Sequence, residues 1–301
     1  MLPQLIALDM DGTLLDGNGD LPPGFAETSQ RATELGVTLV PASGRQLATL
    51  QEMFPHEETF IAENGSVVVH NNELLSTTPL PSSAVHAAVK ALDAVAQPHT
   101  VVLCTPATAF VETRIDEQAS AEISKYYKSI TWVDDLHNLL DEDIIKIAAF
   151  CADGSEKHLH DPLREAVPEH NIAVSGAVWL DVMAAGVNKG VALETMASLL
   201  GIPQSRTAAF GDFLNDFELL QAAGTAIAMD NAHPKLKAIA DTIAPPNTEY
   251  GVLTVLNQLL PANRIRLFSF TIYPLNIANF PRHAVLSTLG NGAARGLKLA
   301  D

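Results

Sequence analysis

The chain has 301 residues and a mass of 32.1 kDa, more than one core usually organises, so two domains are expected. With 47% hydrophobic and 18% charged residues the composition is globular and excludes a largely disordered chain. A net charge of −17 argues against nucleic acid and anionic membranes as partners, and only two cysteines, Cys104 and Cys151, exclude a disulfide framework or a four-cysteine zinc site.

The N-terminal residues 1–9 lack the basic stretch of a secretory signal, and no run is apolar enough to span a bilayer; a cytoplasmic protein is the expectation. Charge is unevenly spread. Residues 261–301 carry four Arg and one Lys against the single acid Asp301, a net +4, which leaves −21 on the first 260 residues. That shift marks a basic C-terminal extension of unknown role.

In chain order, Leu5–Leu8 reads as a buried strand, Pro23–Leu35 as a helix, Val37–Val40 as a second strand, Gln46–Met53 as a second helix and Thr59–Ala62 as a third strand. Strands alternating with helices imply right-handed crossovers and a parallel sheet covered on both faces. Val67–His70 and Glu73–Leu75 form a hairpin around Asn71-Asn72. Helices at Ser83–Val95, Glu117–Tyr127 and Glu156–Val167 then mix with strands near Val101, Ala109, Ile144–Phe150, Ala173 and Val178, an α+β module. The βα rhythm resumes with helix Lys189–Leu200, strand Thr207–Phe210, helix Asp216–Ala222 and strand Thr225–Met229. The fold class is therefore α/β, a Rossmann-like parallel core of residues 1–80 and 186–260 with an α+β domain of residues 81–185 inserted.

Chemistry-bearing residues stand at the strand ends, where open α/β sheets bind ligands. Asp9-Met-Asp11-Gly12 follows the first strand. Two carboxylates so close repel unless a cation lies between them, and Mg²⁺ suits such oxygen donors. A calcium-binding EF-hand loop fails here, because Gly12 and Asp20 fall at the wrong positions. Ser43-Gly44-Arg45 follows the second strand, offering a hydroxyl and a glycine amide before a helix; the plainer reading makes Ser43 a helix cap. Lys189 opens a helix, against the helix dipole, and so wants an anion, unless it is merely a surface lysine. Asp212-Phe-Leu-Asn215-Asp216 supplies more acids and an amide after another strand, or else only a capped turn.

Four such elements in this order resemble the haloacid-dehalogenase superfamily of phosphotransferases, in its Cof-type branch. Glu63-Asn64-Gly65, Ala228–Ala232 and Asn247–Gly251 are similar to phrases of that branch, and the resemblance covers residues 3–260. Within it, Phe54-Pro55 and the approach from Trp179 to Lys189 are similar to bacterial sugar phosphatases. The resemblance implies a phosphatase of small phosphomonoesters, sugar phosphates first, with Asp9 as nucleophile and Asp11 as general acid and base. Ser43, the Gly44 amide, Lys189 and Asn215 would hold the phosphate. Mg²⁺ would sit on Asp9, the Asp11 carbonyl and Asp212, with Asp216 in reserve, and residues 81–185 would be a cap.

A sugar phosphomutase shares these motifs, and a non-catalytic phosphate-binding module would have lost Asp9, Asp11 or Lys189, all present. Dehalogenase chemistry is disfavoured by Asp11. His158 and His160 lack a third ligand of suitable spacing for a metal site. Trp132 and Trp179 read as cap packing, and Cys104 and Cys151 as buried strand residues. Phe213 and Leu214 replace smaller residues of relatives at the site mouth. The physiological substrate and oligomeric state are not written in the sequence.

Overall fold

The structure is a computed structural model that describes residues 2–261; the basic extension expected after residue 260 falls almost wholly on residues outside that range. β1 (Leu5–Leu8) is four apolar residues, all fully buried, because a central strand of a parallel sheet is covered on both faces. After α1 (Phe25–Glu34), β2 (Thr38–Pro41) returns parallel to β1. α2 (Leu47–Met53) leads into β3 (Phe60–Ala62), β4 (Val67–His70) and β5 (Glu73–Thr77), which form an antiparallel three-stranded sheet. Asn71 and Asn72 close its hairpin at φ 51° and 60°, the left-handed pair that such a tight turn demands. The alternation of strands and helices predicts β3 as a third strand of the parallel sheet. It touches that sheet through a single parallel bridge, Ala42 to Ile61, its other edge being taken by β4.

The α+β module comprises α3 (Ser82–Asp93), β6 (Thr100–Cys104), β7 (Ala109–Glu112), α4 (Glu117–Tyr126), β8 (Ile130–Val133), β9 (Lys146–Phe150), α5 (Ser155–Ala166), β10 (Asn171–Val174) and β11 (Trp179–Met183). Its six strands run in the order β10-β11-β9-β6-β7-β8, antiparallel except for the β7–β8 pair. Period two sorts its residues. Leu103, Ile147, Ala149, Leu180 and Val182 pack with α3 and α5, whereas Cys104, Ala148, Phe150 and Trp179 join the apolar body that includes β1 and β12. β8 was not expected: an edge strand exposed on one side has neither an apolar run nor clean alternation. Trp132 on it is 45% exposed, which corrects its reading as packing, since no further strand among the described residues covers that edge.

The chain returns through α6 (Lys189–Leu199), β12 (Thr207–Gly211), α7 (Phe217–Ala222), β13 (Ala226–Met229), α8 (Pro234–Lys237), β14 (Thr242–Ala244) and α9 (Gly251–Leu259). The parallel sheet has the order β14-β13-β12-β1-β2, flanked by α1 against α9 and α6 against α7. β1 thus has β2 on one side and β12 on the other, and the strand order reverses there. Ligands of doubly wound sheets bind at such a switch point.

Candidate active site

Asp9 is the first residue past β1, 5% exposed, with its amide bonded to the Phe210 carbonyl of β12. One wide turn, Met10–Leu14, follows and carries Asp11 outward to the cleft. Gly12 makes that turn possible. Its φ is +79°, and a Cβ there would lie 2.3 Å from Asp212 Oδ2. Two asparagines clamp the turn from outside: Asn231 Nδ2 donates to the Gly12 carbonyl (2.7 Å) and Asn247 Nδ2 to the Leu15 carbonyl (2.8 Å). This gives a physical role to the 228–232 and 247–251 phrases.

Lys189 is not a surface lysine. It is fully buried, and its Nζ donates to Asp9 Oδ1 and Asp216 Oδ1, each at 2.6 Å. Burial works against its charge, but Asp216 and Asp9 outweigh that and hold the ammonium above the usual lysine range. Asp216 Oδ2 accepts the backbone N–H groups of Asp212 and Phe213 at 3.0 and 3.3 Å, so both its oxygens are engaged in shaping the turn after β12. Asp212 accepts from Thr13 Oγ1 at 3.1 Å. Burial and then the neighbouring Asp9 and Asp216 carboxylates push Asp212 up to about 9, and burial with Asp216 pushes Asp9 up to about 7. Oxygens of Asp9, Asp212 and Asp216 lie within 4.8 Å of one another.

Ser43 and Gly44 follow β2. Ser43 is not the cap of α2; that position belongs to Gln46, and Ser43 Oγ accepts the Arg45 amide at 3.1 Å while its own proton stays free for the cleft. The Gly44 amide has no hydrogen-bond partner among the described residues. Asn215 Nδ2 donates to Asn64 Oδ1 at 3.2 Å. All eight residues expected at the site thus surround one end of the parallel sheet. Asp9, Asp11, Ser43, Gly44, Asp212 and Asn215 line a common cleft of about 140 Å³ directly, along with Phe213.

Four residues to which the sequence assigns no role also meet at the site. Arg45 forks onto Asp11 (2.6 and 2.8 Å), donates to the Lys125 carbonyl and lies 4.9 Å over the Tyr126 ring. Lys146 and Asp181 are charged residues in otherwise apolar strands, on the same face as Ala148 and Trp179. The buried Lys146 ammonium pairs with Glu63 and donates to the Gly44 carbonyl at 2.7 Å. Asn64, at φ 54°, donates to Asp181 Oδ2 at 2.6 Å. A lone charge within an apolar strand was the available signal for Lys146 and Asp181. Trp179 is packed, as expected, against Tyr126, Tyr127 and Phe150, yet it also lines the cleft. Both cysteines are buried and free.

Residues 6–256 match the haloacid dehalogenase-like hydrolase family. The chain is 32% identical over 264 residues to 5-amino-6-(5-phospho-D-ribitylamino)uracil phosphatase YbjI of Escherichia coli (strain K12), covering 85% of this chain and 96% of that one. It is 29% identical over 260 residues to the putative phosphatase YkrA of Bacillus subtilis (strain 168), covering 85% and 97%. Among solved structures, SMU.1108c from Streptococcus mutans UA159 superposes with a TM-score of 0.79 at 25% identity, over 86% of this chain and all of that one. Among the described residues no helix is long and apolar enough to cross a membrane. With its fold, strand-end acids and relatives in agreement, the chain belongs to the haloacid dehalogenase-like hydrolase family and is an enzyme of phosphatase type acting on small phosphate substrates.

Proposed function

We propose that this enzyme is a Mg²⁺-dependent phosphatase of small phosphomonoesters, sugar and polyol phosphates first, that works through an aspartyl-phosphate on Asp9. The observation that carries the reading is Asp9 itself. Lys189 fixes its Oδ1 from inside the protein, while Oδ2 takes no hydrogen bond among the described residues and is left as the attacking atom. The name of the E. coli relative, a phosphatase of a phosphorylated ribityl compound, supports the substrate class.

The donor set fits a hard divalent cation. Asp9 and Asp212 are carboxylates held above their ordinary range by burial and mutual repulsion, a repulsion that a dication between them relieves. Asp9, Asp212 and the Asp11 carbonyl would hold Mg²⁺, with Asp216 behind them. When bound, the ion supplies charge neutralisation between the nucleophile and the incoming phosphate. The protein's own groups do the rest. Lys189, the Ser43 hydroxyl, the free Gly44 amide and Asn215 receive the phosphoryl oxygens. Asp11, once an oxygen is released from the Arg45 fork and carries a proton, protonates the leaving alcohol and then takes a proton from the hydrolytic water. Residues 81–185 act as the cap that excludes water. Their grip on the core is visible in Gln46, which donates to the Ser129 carbonyl and accepts the Lys128 and Ser129 amides, and in Thr49, which donates to the Tyr126 carbonyl.

The test is release of inorganic phosphate from a panel of sugar, nucleotide and cofactor phosphates, with Mg²⁺ and with excess EDTA. Release that requires Mg²⁺ is the expected result. Full activity in EDTA would refute the metal site, and an isomerised sugar phosphate without free phosphate would make the enzyme a mutase.

A further inference from the structure

The wall of the cleft that faces the phosphate cradle comes from β11 and the segment before it. Trp179 and Asp181 stand two apart on that strand, on the face shared with Ala148 and Phe150. Asp181 is 3% exposed and lines the cleft. Its Oδ2 is satisfied twice, by Asn64 Nδ2 at 2.6 Å and Ser175 Oγ at 2.5 Å. Its Oδ1 takes no hydrogen bond among the described residues and is left to the cleft that Asp181 lines. The Trp179 indole N–H is buried and has no acceptor among the described residues.

The cations on this wall are already engaged: among the described lining residues Lys146 is committed to Glu63 and the Gly44 carbonyl and Arg45 to Asp11, while Glu122 pairs with Lys125 and Asp181 keeps an oxygen without a cation partner. Three rings, Tyr126, Tyr127 and Trp179, share the wall with the segment Ser175 to Val178. A neutral leaving group rich in hydroxyls suits such a wall, donating to the open oxygen and laying its C–H faces on the rings. A leaving group with its own carboxylate or second phosphate meets the Asp181 carboxylate and finds no uncommitted cation among the described lining residues.

We propose that Asp181 determines the specificity of this site: it accepts a hydrogen bond from a hydroxyl of a neutral polyol leaving group and rejects anionic ones. The inference rests on the phosphatase reading and adds to it the residue that selects the alcohol. Asp181 touches the leaving group and takes no part in phosphoryl transfer.

The experiment compares kcat/KM for sorbitol 6-phosphate, 3-phosphoglycerate and p-nitrophenyl phosphate in the wild type and in Asp181→Asn. The asparagine keeps the shape and can still accept from Asn64 and Ser175, but it presents N–H where the open oxygen stood. Ratios between substrates on one preparation do not depend on the fraction folded. The wild type should prefer sorbitol 6-phosphate to 3-phosphoglycerate, and the variant should shrink that preference by about 10- to 100-fold, mainly through KM. An equal fall on all three substrates, leaving the ratios unchanged, would overturn the proposal and reduce Asp181 to a brace for Asn64 and Ser175. A wild type that prefers 3-phosphoglycerate would overturn it as well. No turnover of any of the three with Mg²⁺ would instead remove the phosphatase reading itself.

Discussion

Withdrawing the divalent cation should make the protein's stability fall as pH rises, and restoring it should cancel the fall. Asp9 and Asp212 are carboxylates whose values in the folded, metal-free protein are raised from 3.8, to about 7 and about 9. An acid raised in the folded state favours folding below its unfolded value, and that contribution is lost as pH climbs through the folded value. The window is therefore about pH 4 to 9, and the direction is downward. Carrying Asp9 alone from 3.8 to about 7 corresponds to about 4 kcal/mol at pH 8, at about 1.4 kcal/mol per pH unit. Asp212 adds in the same direction, though the two titrate together and do not simply sum. For a body of this size about 1 kcal/mol moves Tm by roughly 2–4 °C, so the full effect is on the order of 10 °C. The assay is thermal unfolding in EDTA and in saturating Mg²⁺ at intervals from pH 5 to 8. The gap in Tm between the two should widen steadily with pH, because protons compete with the cation for the same oxygens. A gap that stays flat or narrows would refute the electrostatic reading of the site.

Gly12→Ala should lower Tm by several degrees and kcat/KM by about 100-fold, because the left-handed backbone and the approach to Asp212 both exclude a methyl group; wild-type kinetics would show the turn is not rigid. Asp9→Asn should abolish turnover while keeping the fold, a loss well beyond the ~10²–10⁴-fold of an acid–base group, and wild-type-like hydrolysis would remove Asp9 from the mechanism. Truncation after Leu260 should leave kcat/KM largely unchanged, since every described residue lining the cleft lies at or before Asn215; a large loss at unchanged Tm would place part of the site in the tail.

Much of this architecture was legible because parallel strands are short apolar runs and their carboxyl ends carry polar residues of unusual kind. Leu5–Leu8 and Thr207–Gly211 announce themselves this way, and Asp9 and Asp212 follow at once. The edges were not legible. β8 and β14 are half-exposed, so burial does not write a pattern on them. β3 shows the same limit from the other side: its sequence gives a buried strand, but which edge its neighbour takes is decided by β4 and the Asn71-Asn72 turn.

The site divided along a similar line. Asp9, Asp11, Ser43, Lys189 and Asp216 lie within short motifs, and their chemistry follows from residue type and place. Arg45, Lys146 and Asp181 act across long sequence separations. Arg45 reaches Asp11 and the Lys125 carbonyl at once, and Lys146 reaches Gly44 from another sheet. Only the period-two face of β9 and β11, set beside the parallel sheet, brings Lys146 and Asp181 to the residues proposed to hold the phosphate.

The central claim is that phosphoryl is carried on Asp9, and it is tested most directly by trapping it there. Asp11→Asn, treated with p-nitrophenyl phosphate and Mg²⁺, loses the base that hydrolyses the intermediate but does not need an acid for so activated a leaving group. Acid quench followed by mass spectrometry of the whole chain and of its peptides should then find one phosphoryl group, on the peptide containing Asp9, with a burst of one p-nitrophenol per active site. A variant that turns over without any phosphorylated protein, or that carries the group on a residue other than Asp9, would contradict the account.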